Sequence, residues 1–195
     1  MSFVMTKALG RPRDSRIDNA VLTATAELLG EVGYAALSVD AIAKQAGTSK
    51  PTIYRRWPSK AHLVHEAVFP AGIATELPDT GSLAGDVRAM VRGTVAVLST
   101  PAARAALPGL LGEMTADATL HSALLDRFAD ALGPGLHAHL DAAAARGELR
   151  PGVTPADLTE VITGIALLAT LTRSDAPDDD WIDRNTTLIL KGIGA

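Results

Sequence analysis

The 195-residue chain has no cysteine, which excludes disulfides, thiolate metal sites and cysteine nucleophiles and fits a reducing compartment. Aromatic residues make up only 4%, β-branched runs are short, and Ala and Leu are plentiful, so helix is favoured throughout and an all-α class is expected. Long apolar runs are also missing. The longest, Val161 to Leu171, contains Thr and Gly and falls short of the roughly 20 residues that span a bilayer, so no membrane is expected as partner. Met1 to Leu9 holds no apolar stretch of signal-peptide length, which makes a cytoplasmic location the expectation. Nucleophile elbow, P-loop and dinucleotide fingerprint are all absent. His62 and His65 lie three apart beside Glu66 but have no further partner, and His137 and His139 fall on different helix faces. Neither a catalytic residue, a metal nor a cofactor is therefore assigned, and an enzyme is disfavoured.

The charge that is present is unevenly placed. The formal net charge is −4, yet residues 1 to 60 hold nine Lys and Arg against five Asp and Glu, and residues 61 to 195 hold nine against seventeen. A basic head on an acidic body suits a protein that meets nucleic acid with one end.

Hydrophobic periodicity divides the chain into helices. Ile17, Ala20, Val21, Ala24 and Leu28 predict a first helix over 16–31, ended near Gly33. Ser38 is a candidate N-cap for a two-turn helix bearing Val39, Ile42, Ala43 and Ala46, with Gly47 as its stop. In the next segment Ile53 and Trp57 lie four apart. If Ser49 caps that helix through the Thr52 amide, Pro51 falls in the first turn, where a missing N–H costs little. Leu63, Val64, Ala67 and Val68 predict a fourth helix that Pro70 kinks or ends. The turn-forming stretch 76–82 reads as a linker, and 83–99, 102–117, 119–147, 155–173 and 178–193 read as five more helices, about nine in all. Gly133-Pro134-Gly135 is expected to kink or split the third of these five. The domain reading is thus a basic arm over 1–15, an N-terminal helical domain over 16–75 and a C-terminal helical domain over 76–195.

Two short helices joined by a turn containing a glycine form a helix-turn-helix, whose second helix enters the major groove. Opposite Ile53 and Trp57 the third helix carries Lys50, Thr52, Tyr54, Arg55 and Arg56, hydroxyls and cations suited to phosphates and base edges; Lys50 can donate to guanine and Pro51 can touch a thymine methyl. The ordered run from Leu37 to Lys60, LSVDAIAKQAGTSKPTIYRRWPSK, with Gly33-Tyr34 ahead of it, closely resembles the DNA-binding domain of the tetracycline-repressor (TetR) family over residues 16 to 70. The resemblance implies an operator-binding, one-component transcriptional regulator. It implies a recognition helix from Ser49 to Tyr54, phosphate contacts by Tyr54, Arg55, Arg56 and Lys60, and hydroxyl contacts by Ser38 and Thr48. Asp40 is acidic where some members place a cation, and is read as an acid suited to the helix dipole. Gly10-Arg11-Pro12-Arg13 resembles the core of an AT-hook, whose arginines enter a narrow minor groove; a basic tail held only by phosphates is the other reading of Arg11 and Arg13.

The C-terminal half resembles the family's regulatory domains more weakly. The segment 161–171 is apolar almost all round, as a helix covered on both faces would be. With the last helix it is expected to supply two helices to a symmetric four-helix dimer interface, through Val161, Ile165, Leu168, Trp181, Ile182 and Ile189, the other reading being a monomer core. An effector pocket is expected among the helices from 83 to 140, where Met90, Thr94, Leu98, Leu110, Met114, Phe128 and Leu132 mix apolar surface with a few polar groups. The expected function is a repressor released from a palindromic operator by a small, largely apolar ligand. The alternative is a ligand-independent DNA-binding or architectural protein, which would show no effector response.

Overall fold

The computed structural model describes residues 15–70 and 78–194, the side chains of 123–135 excepted. Arg11, Arg13 and the arm to which they belong lie outside these residues, as do the side chains of Phe128 and Leu132. Among the described residues the protein is all helix, with one isolated bridge between Leu149 and Gly194. The helices are α1 (Ser15–Ala36), α2 (Val39–Gln45), α3 (Lys50–Tyr54), α4 (Lys60–Val68), α5 (Leu83–Leu98), α6 (Pro101–Met114), α7 (Ala118–Ala145), α8 (Pro155–Thr172) and α9 (Asp179–Ile193).

Their ends follow from local chemistry. Ser38, Ser59, Ser82, Thr100, Asp117, Thr154 and Asp178 each accept a backbone N–H in the first turn of the helix they precede, relieving donors that have no partner inside the helix. Thr154 and Asp157 complete a reciprocal capping box. Gly33 bends α1 with φ 73° and Gly47 turns the chain between α2 and α3 with φ 63°, both in the left-handed region that glycine enters without a Cβ penalty.

One local expectation is corrected. Ser49 precedes α3 but its side chain makes no cap bond to the Thr52 amide. The amides of Thr52 and Ile53 bond the Ser49 carbonyl instead, and the Ser49 hydroxyl pairs with that of Thr52 at 2.9 Å; in so short a helix the neighbouring hydroxyl competes for the cap. Gly133-Pro134-Gly135 does not split α7, which runs as one element of 28 residues. A proline forfeits one ladder bond, but Leu120 before the tripeptide and Leu136, Leu140 and Ala143 after it are all buried, the first in one hydrophobic cluster and the other three in another. Pro70, by contrast, does follow the end of α4, whose last helical residue is Val68.

The division of the chain at 76–82 is not a division of the core. One cluster joins Val21, Leu29, Ile42, Ile53, Trp57, Leu63 and Val64 of the N-terminal helices to Val95, Leu98, Leu107 and Leu110 of α5 and α6. α1 and α4 both pack on α6. A second cluster lies wholly in the C-terminal part, where Val87, Met90 and Val91 of α5 meet Leu136, Leu158, Ile162, Ile182 and Ile189.

Candidate nucleic-acid interface

The third helix is five residues long, too short to persist by its own hydrogen bonds. It is held because Ile53 and Trp57 are buried in the first core and because the Trp57 indole N–H donates to Glu66 of α4 at 2.9 Å. Fixing that side leaves the opposite one outward. Lys50, Pro51 and Arg55 are exposed, Tyr54 is exposed, and Thr52 is half-buried. A narrow, rigid ridge of cations and hydroxyls with an apolar edge at Pro51 results, which is the shape and chemistry that enter a major groove.

The cations differ in how they are held. Lys50 Nζ donates to Asp40 Oδ2 at 2.8 Å, and this bond raises the lysine's pKa. Asp40 thus pairs across the turn with the first residue of the recognition helix, beyond its place near the positive end of α2. Arg56 is half-buried and ion-paired with Asp18 of α1, so this guanidinium ties the end of α3 to the first turn of α1, where the sequence placed it among the phosphate contacts. Arg55 stays in solvent. Lys60 is half-buried; its ammonium donates to the Tyr34 carbonyl at 3.0 Å and sits 4.2 Å from the centre of the Tyr34 ring, a cation–π arrangement. Ser38 spends its acceptor on the Ala41 amide at 3.2 Å and keeps its hydroxyl proton at the exposed surface, while Thr48 is half-buried in the turn.

Asp18, Asp40 and Glu66 are the functional partners that sequence reasoning did not assign. Asp40 carries a signal, an acid ten residues before a lysine across a tight turn. Asp18 and Glu66 carry none, because their partners come from other helices.

Of the residues proposed for a ligand, those whose side chains are described do not gather at one place. Met90 is buried in the second core, Leu98 and Leu110 in the first, and Thr94 and Met114 are half-buried. A separate cavity of about 390 Å³ opens between the end of α7 and the start of α8, lined by His137, Asp141, Leu149, Arg150 and Val153 among others. Of the residues proposed for the dimer face, Val161 is 47% and Leu168 62% exposed; Leu171 of α8 and Leu188 of α9 are also exposed, Leu188 to 68%. Ile182 and Ile189 are buried in the protomer's own second core, and Ile165 and Trp181 pack against it half-buried. α9 turns its Ile182–Ile189 stripe toward α5, leaving Leu188 outward.

Residues 21–67 match the family described as bacterial regulatory proteins, tetR family, and residues 77–189 match the family described as tetracyclin repressor-like, C-terminal domain. The chain is 30% identical over 188 residues to an uncharacterized HTH-type transcriptional regulator of Mycobacterium tuberculosis, covering 93% of this chain and 92% of that one. It is 34% identical over 170 residues to the DNA-binding transcriptional repressor TetR of Mycobacteroides abscessus, covering 85% and 87%. Among solved structures, the TetR family transcription regulator SCO0332 superposes with a TM-score of 0.68 at 29% identity, covering 91% of this chain and 98% of that one. With a buried Ile53–Trp57 side holding a cationic ridge outward, and with both halves matched in order, the chain belongs to the TetR family of helix-turn-helix transcriptional regulators.

Proposed function

We propose that this regulator is a homodimeric repressor, released from a palindromic operator by a small, largely apolar ligand. The observation that carries the reading is the outward ridge of Lys50, Pro51, Thr52, Tyr54 and Arg55 over its buried anchor. The similar protein named as a repressor in Mycobacteroides abscessus supports the sign of regulation. Dimerisation is supported by α8, an apolar helix of which only 28% is buried within the protomer, and by the outward Leu168 and Leu188. In a two-fold dimer the recognition helices must stand about one turn of DNA, roughly 34 Å, apart. A ligand among α5, α6 and α7, near Met90, Thr94, Leu98, Leu110, Met114, Phe128 and Leu132, would favour a different separation and so weaken operator binding. Reciprocity requires operator DNA to weaken ligand binding by the same factor, about 5- to 150-fold for a coupling of about 1 to 3 kcal/mol.

Selection of duplexes from a random-sequence pool by the purified protein tests the DNA reading. Two inverted half-sites one helical turn apart are expected, and a pool that enriches no sequence would overturn it. A compound bound near these residues with equal affinity for free and operator-bound protein would overturn the release mechanism while leaving DNA binding intact.

A further inference from the structure

Tyr34 touches both the DNA-facing end of α4 and the body helix α6. It follows Gly33, whose φ of 73° redirects the end of α1, and it is buried. On the head side its carbonyl and ring hold the Lys60 ammonium, at 3.0 Å and 4.2 Å. On the body side its phenol donates to Glu113 Oε1 at 2.6 Å. Its ring also fills the space beside Gly109, where a Cβ would fall 2.1 Å from ring Cδ1. Only a glycine at 109 admits the ring in this place.

The stretch of α6 facing Tyr34 is its weakest. Pro108 lies inside the helix and offers no N–H to the carbonyl four residues back; Gly109, next to it, is a poor helix former. On either side α6 is tied to different parts of the molecule. Arg104 donates to the carbonyls of Arg173 and Ser174 beyond the end of α8, at 2.6 and 3.0 Å, and Glu113 holds Tyr34. A shift arising among α6 and α8 is therefore concentrated at Pro108-Gly109, against the tyrosine ring.

We propose that Tyr34 is a positioning residue through which α6 sets Lys60 against the DNA backbone, with Gly109 and Glu113 as the body's two holds on it. The proposal rests on the reading that Lys60 contacts phosphate. An ammonium has three donors; one is spent on the Tyr34 carbonyl, and the ring fixes the direction in which the others point. Burial, and then the hydrogen bond to Glu113, push the Tyr34 phenol well above its ordinary pKa of 10.0. The head and body are thus joined at a DNA contact by a route additional to the covalent connection after α4.

The test needs no effector. Binding of the full chain to a pool-selected duplex is followed by fluorescence anisotropy over a range of salt concentrations. Gly109→Ala, far from the recognition helix in sequence, is expected to weaken binding at least about tenfold. It should also flatten the salt dependence by about 0.9 in log–log slope for each phosphate that the protein no longer neutralises, or about 2 for a two-fold dimer. Gly112→Ala makes the same change on the same helix where a Cβ meets nothing within 4 Å, and is expected to leave affinity and slope as they were. Glu113→Ala, which frees the phenol without crowding α6, is expected to weaken binding several-fold, so the test survives if Gly109→Ala does not fold. In a Lys60→Gln background neither change should alter the slope further. Silent Gly109→Ala and Glu113→Ala, or the same slope change in both backgrounds, would overturn the proposal alone. If Lys60→Gln left the slope of the parent protein intact, the phosphate role of Lys60 would fall and the proposal with it.

Discussion

Leu168→Ala should weaken the dimer while sparing the protomer, and the structure sets how much. Leu168 sits on α8 at 62% exposure, so most of its side chain is still in water in the protomer. Complete burial of a leucine stabilises by about 1.5 to 3 kcal/mol; covering the exposed part is worth roughly 1 to 2 kcal/mol. An isologous interface uses the same residue twice, which doubles the loss to roughly 2 to 4 kcal/mol and weakens association about 30- to 700-fold. Sedimentation equilibrium over a concentration series reads this directly, with the thermal midpoint of the monomer as control. Ile189→Ala is the counterpart: Ile189 is 7% exposed within the second core, so its truncation should cost about 2 to 5 kcal/mol of fold stability. If Leu168→Ala left the dissociation constant unchanged, or if Ile189→Ala weakened association without lowering protomer stability, the assignment of faces to α8 and α9 would be wrong.

Trp57→Ala should remove the anchor of the recognition helix; a buried tryptophan truncation costs about 3 to 5 kcal/mol, and chemical denaturation together with loss of operator binding would show it, whereas unchanged stability would contradict the packing. Lys50→Ala should lower discrimination between operator and mutated duplexes by roughly 1 to 3 kcal/mol, and Asp40→Asn, which releases the lysine from its 2.8 Å ion pair, should raise affinity for random-sequence DNA; an Asp40→Asn protein with lower random-sequence affinity would speak against the pairing. Acid should destabilise the fold through carboxylates held below their ordinary values, Asp157 by Thr154, Asp117 by Thr119, Asp183 by Arg88 and Glu148 by Arg146. Because their folded pKa values are depressed, they stabilise the protein fully above the unfolded range of about 3.8 to 4.5 and lose that contribution as pH falls below it; a thermal midpoint that held constant down to pH 3 would refute this.

The amino-acid sequence by itself determined the elements. Periodicity of 3.6 requires only local residues, and caps such as Ser38, Ser59 and Thr154 act on amides two or three positions away, so helix starts are written in short stretches. The recognition helix was legible for the same reason: Ile53 and Trp57 four apart settle which side is free, and Gly47 and Pro51 mark the turn and start around it. What failed locally was a competition between near neighbours, as at Ser49 and Thr52.

Only the tertiary structure decided the pairings and the faces. An all-round apolar helix such as α8 does not show from its own residues which side its protomer covers, and α9 carries Ile182, Leu188 and Ile189 in one short run although only Leu188 is left outward. That choice belongs to α5, whose Val87 and Met90 receive the isoleucines. The same holds for the charges. Arg55 and Arg56 are adjacent and chemically identical, yet one points to solvent and the other meets Asp18, 38 positions earlier. Tyr34 and Glu113 lie 79 positions apart, and nothing near either residue foretells the bond, because it exists only once α1 and α6 have packed.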